Sequence, residues 1–204
     1  MTALLVLAKE PVPGRVKTRL CPPLTPEGAA AVATAALEDT LAAAREVDVA
    51  RRVLVLDGTF AADGFEVLPQ VAGPMDARLA AAFDAVAGAP ALLVGMDTPQ
   101  LTVALLQQAL DALAQHDAVL GLAPDGGWWA LGLQVPDGAL LAGVATSRED
   151  TGARQRERLV EAGLTPYALP QLTDVDTVAD ALEVAALAPD SRFARALARA
   201  LSAG

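Results

Sequence analysis

A chain of 204 residues, 53% of them apolar, is long enough for one domain with a substantial buried core. The formal charge of −10 argues against a general nucleic-acid-binding role. A single cysteine, Cys21, excludes an internal disulfide, and a single histidine, His116, excludes a multi-histidine metal centre.

Residues 2–8 (TALLVLA) read as a buried strand. They are too short for a membrane span and lack a basic leader, and no other apolar run reaches spanning length, so a soluble cytoplasmic protein is expected. Residues 9–25 form a loop broken by Pro11, Pro13, Pro22 and Pro23. Thr25 then caps an Ala-rich helix that starts at Pro26 and runs to about residue 46. Further strands are expected at 52–56, 65–69, 90–95, 117–122, 128–134 and 165–169. Helices are expected at 76–86, 101–114, 150–162, 177–186 and 191–201. Strands that are continuous apolar runs, alternating with helices, predict a mainly parallel sheet covered on both faces. No repeat or linker interrupts the pattern, so residues 1–204 are read as a single α/β domain with a Rossmann-like start.

In such sheets ligands bind beyond the carboxyl ends of the strands. The loop after the first strand carries Lys9, Arg15, Lys17 and Arg19, and it holds both lysines of the chain. A seventeen-residue connection without secondary structure is uncommon inside a compact domain and is more often functional than not. Three other strand-end loops carry acids: Asp97 in GMDTP, Asp125 in PDGG, and Asp174 and Asp176 in DVDT. Cations with carboxylates on one rim suit a metal–nucleotide complex, because phosphates need cations and N–H donors while the accompanying divalent ion needs carboxylates. Blander roles compete: Asp97, Asp174 and Asp176 each precede a helix and can cap it, and Asp125-Gly126-Gly127 can be a plain turn. Trp128 and Trp129 are neighbours on a strand and face opposite sides of the sheet.

The runs AKEPVPGRVKTRL, GMDTPQL, APDGGWWALGL and DVDTVADAL, in that order, resemble a bacterial family of glycosyltransferase-A fold, the radical-SAM/selenodomain-associated transferases. The family is similar to phospholactate guanylyltransferase and the molybdenum-cofactor nucleotidyltransferases. The resemblance implies a three-layer α/β sandwich with a mainly parallel mixed sheet, the nucleotide-diphospho-sugar transferase fold. It implies nucleotide phosphates held by Lys9, Gly14, Arg15, Lys17 and Arg19, and Mg²⁺ or Mn²⁺ held by Asp97 and Asp176. It puts Asp125 beside the acceptor. The first loop departs from the G-x-G-x-R form of well-studied nucleotidyltransferases, and GMD is not the D-x-D of many glycosyltransferases.

Three functions follow. Nucleotidyl transfer from a nucleoside triphosphate to a small phosphorylated or hydroxyl acceptor would use Lys17 and Arg15 to neutralise charge on the leaving pyrophosphate. Glycosyl transfer from a nucleotide-diphosphate sugar would use Asp125 as general base. A non-catalytic nucleotide-binding protein would keep the fold without turnover. The expected partners are a nucleotide or nucleotide sugar, with no nucleic acid and no membrane, and a second copy of the chain packed through the flat faces of the Ala-rich helices.

Overall fold

The computed structural model describes residues 1–203. Seven strands form one sheet in the order β3-β2-β1-β4-β6-β5-β7. They are β1 (Ala3–Lys9), β2 (Arg51–Asp57), β3 (Glu66–Pro69), β4 (Ala91–Gly95), β5 (Ala118–Leu122), β6 (Trp128–Leu133) and β7 (Pro166–Ala168). Every neighbouring pair is parallel except the two that involve β6, which runs antiparallel between β4 and β5. The sheet is therefore mixed and mainly parallel, as the apolar runs predict. Six α-helices accompany it: α1 (Pro26–Glu46), α2 (Met75–Asp84), α3 (Val103–Leu113), α4 (Thr151–Glu161), α5 (Val178–Leu187) and α6 (Arg192–Ala203). Short 3-10 turns form at Thr18–Leu20, inside the loop expected to lack secondary structure, and at Gly138–Leu140.

Side-chain alternation along β1 sorts the layers. Leu4, Val6 and Ala8 meet Leu37 and Leu41 of α1 and Leu106 and Leu110 of α3 on one face. Ala3 and Leu5 meet Leu79 and Phe83 of α2 and Leu159 of α4 on the other. A third core lies outside the sandwich, where Val32 and Ala36 on the outer side of α1 pack against Ala181 and Val184 of α5 and Phe193 and Leu197 of α6. The tryptophans divide as expected: Trp129 is buried in the α1/α3 core, and Trp128 lies half-buried against the α2/α4 core. Trp129 packs over Gly121 on β5, where a Cβ would come within 2.4 Å of its indole nitrogen, so this position admits no side chain without displacing the ring.

The caps resolve an ambiguity in the sequence. Thr25 caps α1 by accepting from Gly28 N, as predicted. Thr102, rather than Asp97, caps α3. Thr177 and Asp180 form a reciprocal capping box on α5, so neither Asp174 nor Asp176 caps it. Three carboxylates are thereby left without a helix-terminating task. No helix among the described residues is long and apolar enough to cross a membrane.

Candidate functional site

From β1 the chain moves outward to β2 and β3, then returns to place β4 on the other side of β1. The connections out of β1 and β4 thus diverge and leave a crevice at their carboxyl ends, the general ligand position in open α/β sheets. A cavity of about 360 Å³ occupies it, lined by Lys9, Asp57, Gln70, Arg78, Met96 and Asp97 among others. That volume falls within the ordinary range for a small-molecule site. One wall is a matched hydrogen-bond network. Arg78 donates through Nη1 to Asp57 Oδ2 (2.9 Å) and Gln70 Oε1 (3.1 Å), and through Nε to Gly73 O (2.9 Å). Gln70 Nε2 donates to Ala8 O and Val55 O.

An acidic cluster adjoins the cavity through Asp97 and is built differently. Lys17 folds back from the first loop, and its Nζ lies 2.5 Å from Asp97 Oδ1 and 3.9 Å from Asp176 Oδ1 while donating to Val175 O. Only 9% of its side chain is exposed. Its backbone is left-handed (φ 47°, ψ 36°), a region that a residue with a Cβ seldom occupies. Arg19 Nη1 pairs with Asp176 Oδ2 at 2.8 Å from the solvent side. The two acidic segments are joined by Val175 N donating to Asp97 O (2.9 Å) and Gln100 Nε2 donating to Thr173 O (2.8 Å). Asp174 lies within this junction, and its Oδ1 is buried with no hydrogen-bond partner. Burial foremost, then the charges of Asp97 and Asp125, push its carboxyl up to about 7; Asp176 adds to the rise and Lys17 opposes it.

Asp125 sits in the turn between β5 and β6. Its Oδ1 accepts from Gly127 N (2.8 Å), so the turn reading of PDGG is correct, and its charge nevertheless reaches Asp174. Gly126 (φ 90°) holds the turn against the start of α4: its carbonyl accepts from Gly152 N, and a Cβ here would lie 1.9 Å from Glu149 O.

Of the residues singled out in the sequence, Lys17, Arg19, Asp97 and Asp176 meet directly, and Lys9 and Asp97 share the cavity. Gly14 and Arg15 are exposed on the outer part of the loop, and Arg15 makes no ion pair among the described residues. Asp57, Gln70 and Arg78 are cavity residues that sequence reasoning did not select. Asp57 at a strand's carboxyl end carried a signal; Gln70 and Arg78 carried none, because only the fold brings the start of α2 beside β1. The donor set on the acidic wall is all oxygen, including one buried oxygen without a partner, which suits a hard divalent cation. No group of three or more His, Cys, Asp or Glu among the described residues forms a ready-made metal cage. Two carboxylates with substrate phosphates and water suffice for Mg²⁺.

Residues 28–148 match the model of a family described as "Uncharacterized protein conserved in bacteria (DUF2064)", and the chain belongs to that family. The matched span contains Asp97 and Asp125; Lys17, Asp174 and Asp176 lie outside it. No curated protein matches. Among solved structures, a "putative nucleotide-diphospho-sugar transferase" from Desulfovibrio desulfuricans G20 is 26% identical with a TM-score of 0.84, over 97% of this chain and 92% of that one. Rv0371c from Mycobacterium tuberculosis H37Rv, in complex with manganese, shares the fold at 24% identity and TM-score 0.57, over 90% and 96% of the two chains. The 2-C-methyl-D-erythritol 4-phosphate cytidylyltransferase of Thermus thermophilus shares it at 18% identity and TM-score 0.56, over 93% and 100%. The fold is thus that of nucleotide-diphospho-sugar transferases and cytidylyltransferases.

Proposed function

We propose that the chain is a metal-dependent nucleotidyltransferase that moves a nucleoside monophosphate from a nucleoside triphosphate to a small phosphorylated or hydroxyl acceptor. The observation that carries this reading is the meeting of Lys17, Arg19, Asp97, Asp174 and Asp176 beside a cavity at the β1–β4 crevice. The nucleoside would occupy the cavity, with its phosphates running toward the first loop. Lys9, Lys17 and Arg19 would hold phosphate oxygens, with Arg15 and Gly14 closing over them from the exposed part of the loop. Asp97 and Asp176 would hold Mg²⁺ or Mn²⁺, whose charge would neutralise the phosphate oxygens. An acceptor oxygen, either a phosphate oxyanion or a hydroxyl that gives up its proton to solvent, would then attack the α-phosphorus, the α–β bridging bond would break, and pyrophosphate would leave against Lys17 and Arg15. Positioning and charge supply the catalysis, so no protein nucleophile is needed.

A second reading is glycosyl transfer, favoured by the name of the Desulfovibrio desulfuricans protein. It would place the acceptor beside Asp125 as general base. A ligand panel separates the two: thermal unfolding with nucleoside triphosphates or nucleotide-diphosphate sugars, each with and without Mg²⁺ or Mn²⁺. A ligand at 100 times its dissociation constant stabilises the fold by about 2.7 kcal/mol. Metal-dependent stabilisation by a triphosphate, followed by pyrophosphate release with a panel of phosphorylated acceptors, is the expected result. Stabilisation by nucleotide sugars alone, with nucleotide release on turnover, would replace the first reading with the second. A folded protein that no nucleotide stabilises would sink both.

A further inference from the structure

We propose that Lys17 is a built-in counter-ion for the acidic site, and that an entering divalent cation exchanges with it. This rests on the metal reading above and goes beyond it, because it makes the free protein a closed state that metal must open. The ammonium lies among oxygens of two segments: Asp97 Oδ1 at 2.5 Å, Asp176 Oδ1 at 3.9 Å, and the Val175 carbonyl to which it donates. Carboxylate and carbonyl oxygens are the ligand types a hard cation takes, and here they face the chain's own charge. A divalent cation on Asp97 would lie within a few ångströms of the ammonium and repel it, and Asp97, whose side chain is 45% exposed, is open to a cation arriving from solvent. Asp174 supplies an oxygen that the ammonium does not use, since Oδ1 is buried without a partner. The site therefore has acceptor capacity left over with the lysine in place.

The backbone agrees with a held rather than a relaxed loop. Lys17 is one of two non-glycine residues with positive φ among those described, and its side chain is tied to Asp97 and Val175 O while its carbonyl accepts from Leu20 N. The loop outside it, Pro13, Gly14 and Arg15, is exposed and free to follow if the ammonium lets go. Released from Asp97, Lys17 is positioned to travel with the loop toward phosphate oxygens. Metal and nucleotide then bind with positive coupling, since the phosphates offer the displaced ammonium a new anion.

The chain has only two lysines, which makes the test clean. Amine acetylation of the whole protein, read by mass spectrometry, compares Lys17 with Lys9 as Mn²⁺ is added. In parallel, Mn²⁺ binding without nucleotide is measured by electron paramagnetic resonance for wild type, Lys17→Met and the control Arg156→Met, an exposed α4 residue without an ion pair among the described residues. The expected result is a several-fold rise of Lys17 labelling relative to Lys9 on saturation with Mn²⁺. Lys17→Met should bind Mn²⁺ about tenfold more tightly than wild type, and Arg156→Met should match wild type. Mn²⁺ bound with unchanged Lys17 labelling, or with no gain in affinity in a folded Lys17→Met, would overturn the exchange and leave the metal reading standing. No Mn²⁺ bound by any form, with or without a nucleoside triphosphate, would overturn both. The labelling arm uses wild-type protein and decides the matter even if Lys17→Met does not fold.

Discussion

Two charged groups flank the β1–β4 crevice, and they are balanced in opposite ways. On the β2 side, Arg78, Asp57 and Gln70 form a network in which each named group has a partner at ordinary hydrogen-bond distance. On the β4 side, Asp97 and Asp176 share one largely buried cation, Lys17, with Arg19 added from solvent, and the neighbouring Asp174 has a buried oxygen without a partner. A matched network fixes geometry. An over-acidic one costs stability in the free protein and is sensible where a cation is to be bound. Under the proposed function, the matched group is the scaffold and the over-acidic group is where the chemistry would take place.

The comparison breaks most sharply at Asp97. Asp97→Asn keeps the shape but removes the charge, and metal-dependent turnover should fall by about 10²-fold or more, measured as product formed at saturating nucleotide. Equal turnover would remove Asp97 from the chemistry. On the other wall, Arg78→Ala strands Asp57 and Gln70 Oε1, and stability should fall by about 1–3 kcal/mol in urea unfolding without metal. A loss of turnover with unchanged stability would show that this wall acts on substrate instead of holding the scaffold.

Asp174 sharpens the contrast through pH. An unfolded aspartate titrates near pH 3.9, and the folded group near 7. Between those values the folded state keeps a proton that the unfolded chain has released, so stability falls as pH rises from about 4 to about 7. Asp174→Asn should flatten that slope and make the metal-free protein more stable by about 1–2 kcal/mol at pH 8, after allowance for partial solvent screening. An unchanged slope in unfolding at pH 4, 6 and 8 would place the strain elsewhere. The smallest effect belongs to Arg19, whose pair with Asp176 is largely in solvent. Arg19→Ala should change stability by less than about 0.5 kcal/mol, and a larger loss in the same unfolding assay would show a stronger coupling to the acidic wall.

Much of the frame was legible before the structure. The apolar runs of β1, β2, β4 and β5 are continuous because both faces of these strands are covered, and continuity survives in a sequence. Thr25-Pro26 gave the start of α1 because capping is local chemistry. The aspartates were harder. A carboxylate just before a helix looks the same whether it caps or waits for a ligand, and only the caps made by Thr102 and Thr177 separate the two. The reversal of β6 and the third core of α5 and α6 on α1 are long-range arrangements that no local pattern encodes.

By itself the sequence determined the alternation of strands and helices, and with it the gathering of the cationic loop and the acidic loops at one edge of a parallel sheet. Period and strand direction suffice for that. The tertiary structure alone decided which charges touch. It brought Lys17 onto Asp97 across 80 residues and onto Asp176 across 159, and it buried Asp174 among like charges. Contacts of that span depend on how the layers close around the sheet, and so does the loss of water that gives each charge its effect.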